Sequence, residues 1–246
     1  MDYEENVEKF MSLFKDLERT IKRECEKYNI KTENVDLKNL IDLLSNKNRI
    51  IRKHKDELHV IRKIRNLNAH GEIGNYKYVV YPITDITEKL EKIIKEINNP
   101  PMIYDSDICI KRNKMLCKSI NDKIEETIQE MINNVFTHIP ILENGRLIGV
   151  FSESTLLDIV KKQSGIIINE YTEFEEYEEE LKIENHSMED FEFISRRKNV
   201  YDVEDMFENY FNRKKRLGCI YVTENGKKEE SILGMITAWD VLGNKK

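Results

Sequence analysis

The sequence has little of what breaks regular structure and no long apolar run. Its 246 residues include 9 Gly, 4 Pro and 1 Trp, so we expect few loops and exclude collagenous and disordered classes. No apolar run approaches the ~20 residues of a bilayer-spanning helix, which predicts no membrane association. The first ten residues, MDYEENVEKF, lack the basic and apolar regions of a secretory signal. Together these features predict a cytoplasmic protein.

Cysteines are few and widely separated. Cys25, Cys109, Cys117 and Cys219 form no CxxC pair, and none has a His nearby in the sequence. This spacing indicates neither a zinc site nor a disulfide framework. We therefore predict reduced, mostly buried thiols and no bound metal.

Charge is divided unevenly between the two halves of the chain. Residues 1–100 carry 20 Lys and Arg against 18 Asp and Glu, whereas residues 101–246 carry 20 against 28. The net charge is therefore +2 in the first part and -8 in the second. This asymmetry predicts two different modules.

The first hundred residues have helical periodicity. Apolar residues recur every three or four positions from Glu4 to Tyr28, which predicts an amphipathic helix. Further helices are expected at about 35–44, 49–70 and 86–97. The segment Asn98-Asn99-Pro100-Pro101 ends the last of these helices, and is the best candidate for a linker.

The second part contains the same pattern twice. Two short apolar runs, 138–142 and 146–151, flank Glu143-Asn144-Gly145, and an Asn-Gly pair favours a tight hairpin turn. Runs 219–222 and 231–236 flank Glu224-Asn225-Gly226 in the same way. An amphipathic helix precedes each copy, at 124–132 and 200–207. The pattern predicts an internal duplication with a repeat of about 80 residues.

A strongly acidic segment separates the two copies. Residues 170–190 contain ten acidic side chains and one basic side chain, Lys182. Such a run is usually a solvated helix face or a mobile connector, and only sometimes a docking surface for a basic partner.

A hydroxyl and a carboxylate follow the last predicted strand. Thr237 stands at the turn and Asp240 lies three residues later, at the start of the next helix. A hydroxyl beside free N–H groups suits a phosphate, and an Asp can accept hydrogen bonds from ribose hydroxyls. The same residues also suit an ordinary helix start, with Thr237 as the N-cap and Asp240 at N3.

These two copies resemble the CBS domain family, whose units pair within one chain into a Bateman module. The resemblance extends over about 103–242 and rests on segments 139–152 and 219–240. It implies a cleft for an adenosine compound, namely AMP, ADP, ATP or S-adenosylmethionine, as a regulatory ligand rather than a substrate.

The resemblance also assigns roles to particular residues. It implies that Thr237 meets phosphate and that Asp240 holds the ribose, with two pairs of residues flanking the base, Phe193-Ile194 and Ile220-Tyr221. The first copy departs from the pattern, because Ser152 keeps the hydroxyl but Thr155 stands where the acid is expected. We therefore expect the Ser152 site to be weak or empty.

The end of the third predicted helix has a second pattern. Eight bases and two acids occupy 47–65, the only basic stretch of the chain. Arg65, Asn66 and His70 follow in the run RNLNAH. The simpler interpretation is a solvated helix whose late cations favour the negative end of the helix dipole.

The run RNLNAH resembles the R-x4-H signature of the HEPN family of helical bundles, over about residues 3–97. The resemblance implies either a metal-independent endoribonuclease, often with a composite site at a homodimer interface, or an inactive dimerisation domain. His70 would move a proton of a 2′-hydroxyl and Arg65 would stabilise the phosphorane, with Asn66 in support. RNA would meet the basic helix 47–65.

We therefore predict an α+β protein in which an all-α bundle precedes a tandem CBS pair of βαββα units. The expected boundaries are 1–98 for the bundle, 99–102 for the linker, 103–165 for the first CBS unit, 166–190 for the acidic connector and 191–246 for the second unit. The predicted function is regulatory sensing of an adenine nucleotide by a homodimer. The alternatives are a ligand-gated endoribonuclease and a purely structural dimerisation or docking protein.

Overall fold

The computed structural model describes residues 3–70, 78–162 and 168–243. The chain divides into two compact units, Met1–Pro100 and Pro101–Lys246. The first is helical and the second combines helices with strands, so the predicted α+β class is confirmed.

The described part of the first unit consists of helices. They are α1 (Tyr3–Lys27), α2 (Leu37–Ser45), α3 (Arg49–Lys53), α4 (Lys55–His70) and α5 (Thr84–Asn98). The apolar stripe of α1 is buried, and Val7, Phe10 and Leu17 are fully inaccessible to solvent. Burial of this stripe is what stabilises the helix, as the periodicity predicts.

The prediction of a single helix over residues 49–70 is wrong, because the helix is interrupted at His54. Asn48 caps α3 by accepting from the N–H groups of Ile50 and Ile51. His54 leaves helical geometry, and its buried imidazole lies 2.5 Å from Glu57 Oε2 and 2.8 Å from Glu96 Oε2. These two polar contacts satisfy both ring nitrogens, which a straight helix would not guarantee.

The second unit contains six strands among its described residues. Its first half has β1 (Ile110–Lys111), α6 (Ile124–Asn134), β2 (His138–Glu143), β3 (Arg146–Ser152) and α7 (Glu153–Lys162). Its second half has α8 (Glu178–Leu181), β4 (Asp190–Ser195), α9 (Val200–Asn212), β5 (Leu217–Thr223), β6 (Gly234–Thr237) and α10 (Ala238–Gly243).

The strands form two sheets. β2 and β3 make an antiparallel hairpin, and its turn residues Asn144 and Gly145 both have positive φ, as the Asn-Gly pair predicts. The larger sheet has the order β1-β6-β5-β4, with β4 and β5 parallel and joined through α9. The strand predicted from Ser231 begins only at Gly234, because residues 231 and 232 contact the first hairpin instead.

Alternate residues of the larger sheet face two cores. Ile194, Ile220 and Ile236 belong to one apolar cluster with Val203 of α9. Residues of the opposite face pack against the hairpin of the first copy, in a cluster that includes Leu147, Val150, Cys219, Tyr221 and Met235. The duplicated segments therefore share one core between them.

The acidic connector is not the solvated segment that its composition predicts. Phe174, Tyr177 and Leu181 are buried in the core of the first copy, beside Phe151. A Cβ at Gly149 would lie 2.7 Å from the Leu181 Cβ, so only glycine permits this approach. The connector thus presents most of its charges to solvent and its apolar side chains to the core, and Glu189 is a buried exception.

Candidate functional site

Thr237 and Asp240 lie together at the junction of β6 and α10. The Asp240 carboxylate accepts from the Thr237 backbone N–H and from its hydroxyl, both at 2.7 Å. These bonds are also those of an ordinary helix start, so they do not by themselves require a ligand.

A cleft of about 560 Å³ opens beside this pair. Its walls come from three segments of the second unit, within residues 110–116, 134–139 and 235–240. Most of the lining is apolar, and Lys114, His138 and Asp240 supply charged or titratable groups. A cavity of this size and mixed character is typical of a small-molecule site.

Trp239 lies between Thr237 and Asp240 in the sequence and is strongly exposed. It lines the cleft although 77% of its surface is accessible. Tryptophan exposed at a cavity offers a flat face on which an aromatic ring can stack. It is also the only tryptophan of the chain, and its position between Thr237 and Asp240 can be seen in the sequence.

Another wall of the cleft contains a strained residue. Val135 follows α6 in the left-handed conformation, with φ 57° and ψ 38°, which is rare for a β-branched residue. Its N–H bonds to the Ile132 carbonyl, and the next N–H, of Phe136, bonds to the Met131 carbonyl at 2.9 Å. This helix ending turns Val135 and Phe136 into the cleft lining.

The four residues expected to flank a base do not join this cleft. Ile220 and Tyr221 are fully buried in the cores. Phe193 and Ile194 line a different cavity of about 410 Å³, together with Asp205 and Asn209 of α9. Of the second-copy residues selected from the sequence, Thr237 and Asp240 border this cleft, whereas Phe193 and Tyr221 contact each other across β4 and β5 with ring centres 5.8 Å apart.

The corresponding place in the first copy is closed. Ser152 ends β3 and is buried, and its hydroxyl donates to Glu189 Oε1 at 2.6 Å. Thr155 is also buried, and its hydroxyl lies 3.0 Å from the Ser152 N–H.

Glu189 is the centre of a buried polar cluster that the sequence did not indicate. His138 Nε2 lies 2.9 Å from Glu189 Oε2, and the Ser154 hydroxyl also contacts the carboxylate. Burial by itself would raise the pKa of Glu189, but the imidazoles of His138 and His186 and the Ser152 hydroxyl outweigh it. They hold the pKa of this carboxyl well below its usual range.

The predicted catalytic residues of the first unit lie near the end of α4. The Arg65 guanidinium lies 5.2 Å from the centre of the Phe14 ring and 3.8 Å from Glu18 Oε1, and it donates to Asn66 Oδ1 at 3.3 Å. The backbone of α4 continues to His70, whose side chain lies outside the described part of the chain. Arg65 thus contacts Asn66, its neighbour in the sequence, and its contacts with Phe14 and Glu18 are also with residues of the first unit.

Several cations of the basic stretch bond to neighbours in the bundle. Lys53 pairs with Glu96 and Lys55 with Asp42, both at 2.8 Å. Arg52 donates to the Ser45 carbonyl at 3.1 Å. These contacts support the interpretation of 47–65 as a helical surface held by local pairs.

Within the described ranges, no group of three or more His, Cys, Asp or Glu side chains is arranged to hold a metal ion. The four cysteines are free, and Cys25, Cys109 and Cys219 are buried. None of the helices in these ranges combines the length and apolar character of a membrane span.

A family model described as CBS domain matches residues 106–162. The matched segment includes α6, the first hairpin and α7. No match is found among the curated proteins.

Solved structures of CBS-domain proteins are similar to part of the chain. A putative acetoin utilization protein, AcuB, from Vibrio cholerae is 15% identical, covers 58% of this chain and 87% of its own, and has a TM-score of 0.41. CBSX2, solved in complex with AMP, is 13% identical over 58% of this chain and 94% of its own, with a TM-score of 0.39. The CBS domain pair of protein MJ0100, solved with 5′-methylthioadenosine and S-adenosylmethionine, is 19% identical over 59% and 98%, with a TM-score of 0.38.

Proposed function

We propose that this protein is a regulatory sensor that binds an adenine nucleotide in the cleft formed by Thr237, Trp239 and Asp240. The observation that carries the proposal is the cleft itself, because an apolar cavity of about 560 Å³ lies directly beside a hydroxyl and carboxylate pair. Its chemistry matches the three parts of a nucleotide.

Each part of the ligand has a candidate partner. The Trp239 ring and the apolar side chains of Phe136 and Met235 suit the base. The Asp240 carboxylate suits the ribose hydroxyls. The Thr237 hydroxyl suits phosphate, and Lys114 at the edge of the same cleft adds a cation.

The ligand class is supported from outside the chain. CBS-domain proteins were solved with AMP and with 5′-methylthioadenosine and S-adenosylmethionine. AMP, ADP, ATP and S-adenosylmethionine are therefore the compounds to test. We propose no catalytic cofactor.

The experiment titrates each compound into the full chain and follows the fluorescence of Trp239 together with the heat of binding. A base that covers an indole 77% exposed should change its emission. We expect about one site per chain. Asp240→Ala should weaken binding by about 10-fold to 100-fold, because a charged hydrogen-bond acceptor is lost.

Asp205→Ala is the matched control. Asp205 lines the other cavity of the second unit, with Phe193 and Ile194, so its removal should leave the affinity unchanged. Loss of binding in Asp205→Ala rather than Asp240→Ala would place the ligand in that second cavity. No binding of any of the four compounds to the parent would refute the sensor.

The first unit is proposed to be the output of the sensor, a HEPN-like helical bundle within a homodimer. Ligand binding would change the arrangement of the paired bundles. A second candidate output is RNA cleavage by Arg65, Asn66 and His70. These residues lie at the end of α4, which the side chain of Asn68 holds in place by bonding to both backbone groups of Val80 at 2.8 and 2.9 Å.

A further inference from the structure

The two copies end their hairpins in the same way but have different neighbours. Gly149 and Gly234 each precede by three residues the hydroxyl that ends the strand, Ser152 in the first copy and Thr237 in the second. Thr237 borders an open cleft. Ser152 is buried against the carboxylate of Glu189, whose side chain has no accessible surface.

The groups around Glu189 are those of an oxyanion site. The Ser152 hydroxyl lies 2.6 Å from one carboxylate oxygen, and the Ser154 hydroxyl contacts the same oxygen. His138 Nε2 lies 2.9 Å and Arg216 Nε 3.5 Å from the other oxygen. Two hydroxyls, an imidazole and a guanidinium would bind a phosphate equally well.

A buried imidazole completes the cluster. The side chain of His186 has no accessible surface. Its Nε2 lies 3.3 Å from the Leu181 carbonyl oxygen, and its Nδ1 faces Glu189 Oε1 at 3.8 Å, beyond hydrogen-bond distance and without another partner. A buried donor or acceptor without a partner is costly, and it suits an anion larger than the two oxygens of a carboxylate. The site therefore has more binding capacity than Glu189 uses.

The neighbouring backbone is also adapted to this arrangement. A Cβ at Gly218 would lie 2.9 Å from Glu189 Oε2 and 2.9 Å from His138 Nε2. Arg216, two residues earlier, keeps about half of its side chain exposed. The cluster is thus tightly packed against Gly218, and the partly exposed Arg216 lies beside it.

We propose that Glu189 is an internal ligand, which occupies the anion subsite of the first copy and takes the place of a phosphate. The acidic connector, to which Glu189 belongs, closes this subsite to external oxyanions. Removal of the carboxylate converts the subsite into a binding site for inorganic phosphate. The duplicated unit therefore keeps one open nucleotide cleft and one that the chain fills itself.

The test uses the full chain and inorganic phosphate, with chloride at matched ionic strength as the reference. Glu189→Ala removes the carboxylate and opens space for an anion. We expect phosphate to raise its Tm by roughly 5 °C or more. The parent should respond less than Glu189→Ala, because any phosphate bound beside Thr237 and Lys114 would raise the Tm of both proteins alike.

Two further variants distinguish the loss of a carboxylate charge from the space that Glu189→Ala opens. Glu189→Gln fills the same volume without the charge, and Asp190→Asn removes a neighbouring carboxylate that pairs with Lys215 at 3.4 Å. Neither should gain a response to phosphate. An equal response of all variants and the parent, or none in a folded Glu189→Ala, would overturn the proposal.

Ser152→Ala supplies a readout that does not require Glu189→Ala to fold. If the first-copy subsite is closed, the affinity and stoichiometry of AMP should match those of the parent within twofold. A loss of one AMP per chain in Ser152→Ala would mean that the subsite is open, and the proposal would fail. The Ser152→Ala readout rests on the sensor proposed above, because it needs AMP to bind. The phosphate arms use no AMP, and the parent and variants share the open cleft, so a response of Glu189→Ala in excess of the parent reports the first-copy subsite alone.

Discussion

The charged and polar groups that surround the Glu189 carboxylate come from parts of the sequence far from Glu189. A carboxylate with no accessible surface is stable as an anion only if charged and polar groups surround it. Here these groups come from four places, namely His138 in β2, Ser152 and Ser154 around the end of β3, His186 in the connector and Arg216 before β5. No local pattern identifies such a set.

Glu189 should make the free energy of unfolding depend on pH in the acid range. Because its pKa in the folded protein lies below the ordinary value of 4.5, its ionised form stabilises the fold above the unfolded-state pKa. That contribution is lost as the pH falls through the folded-state pKa. At pH 7, Glu189→Gln should lower the free energy of unfolding by about 1–3 kcal/mol.

The measurement is urea unfolding of parent and variant between pH 7 and pH 3. The difference between the two free energies should be constant down to about 4.5 and shrink below it. Asp190→Asn is the control and should change stability by less than about 1 kcal/mol, since this ion pair is largely exposed. A difference for Glu189→Gln that does not vary with pH would contradict the assignment.

At the scale of elements, the helices of the second unit keep apolar side chains on the surface. Ile132 of α6 and Phe211 of α9 are 65% and 81% exposed. Leu157 and Val160 of α7 are also exposed and lie three residues apart, on one face of the helix. Exposed apolar faces of this kind are typical of surfaces that associate.

We predict that these faces form the interface of a two-fold homodimer, because closed symmetry is the usual outcome for a self-complementary surface. The full chain should sediment at twice its mass of 29.3 kDa at micromolar concentration. Ile132→Glu combined with Phe211→Glu should shift it to the monomer, because two charges would have to be buried.

Glu125→Gln combined with Glu208→Gln is the control for that experiment, since it alters the charge of the same helices without placing a charge at an apolar position. This variant should remain dimeric. A monomeric parent, with and without nucleotide, would exclude the homodimer and any composite site that depends on it.

At the scale of the whole molecule, the chain joins a helical unit to a unit in which residues 106–162 match a CBS domain model. The proposed sensing residues belong to the second unit, and Arg65, Asn66 and His70 belong to the first. A regulatory role requires that ligand binding in one unit changes a measurable property of the other. RNA cleavage is the property that the first unit's residues suggest.

Replacement of one histidine, His70, tests the proposal that the first unit cleaves RNA. If Arg65 and His70 form a site, cleavage should proceed in EDTA, leave a 2′,3′-cyclic phosphate and change with nucleotide. His70→Ala should abolish it. His59→Ala is the control on the same helix, because His59 bonds to Asp42 at 3.1 Å and belongs to no proposed site. A chain that cuts no RNA in either ligand state has a structural first unit.

The sequence alone determined the features that depend on neighbours along the chain. The stripe of α1, the Asn144-Gly145 turn and the repeated strand pattern follow from side-chain spacing and local backbone preference. The pair Thr237 and Asp240 is close in space because it is close in sequence. These features follow from the local sequence because few distant contacts are needed to form them.

Only the tertiary structure decided the rest. The break at His54 depends on Glu96, 42 residues away, and the closed first-copy subsite depends on Glu189, 37 residues beyond Ser152. The cleft beside Trp239 needs residues 110–116 and 134–139 as its other walls. Such partners are selected by packing and by the cost of leaving buried polar groups unpaired, and both act only once the chain has folded.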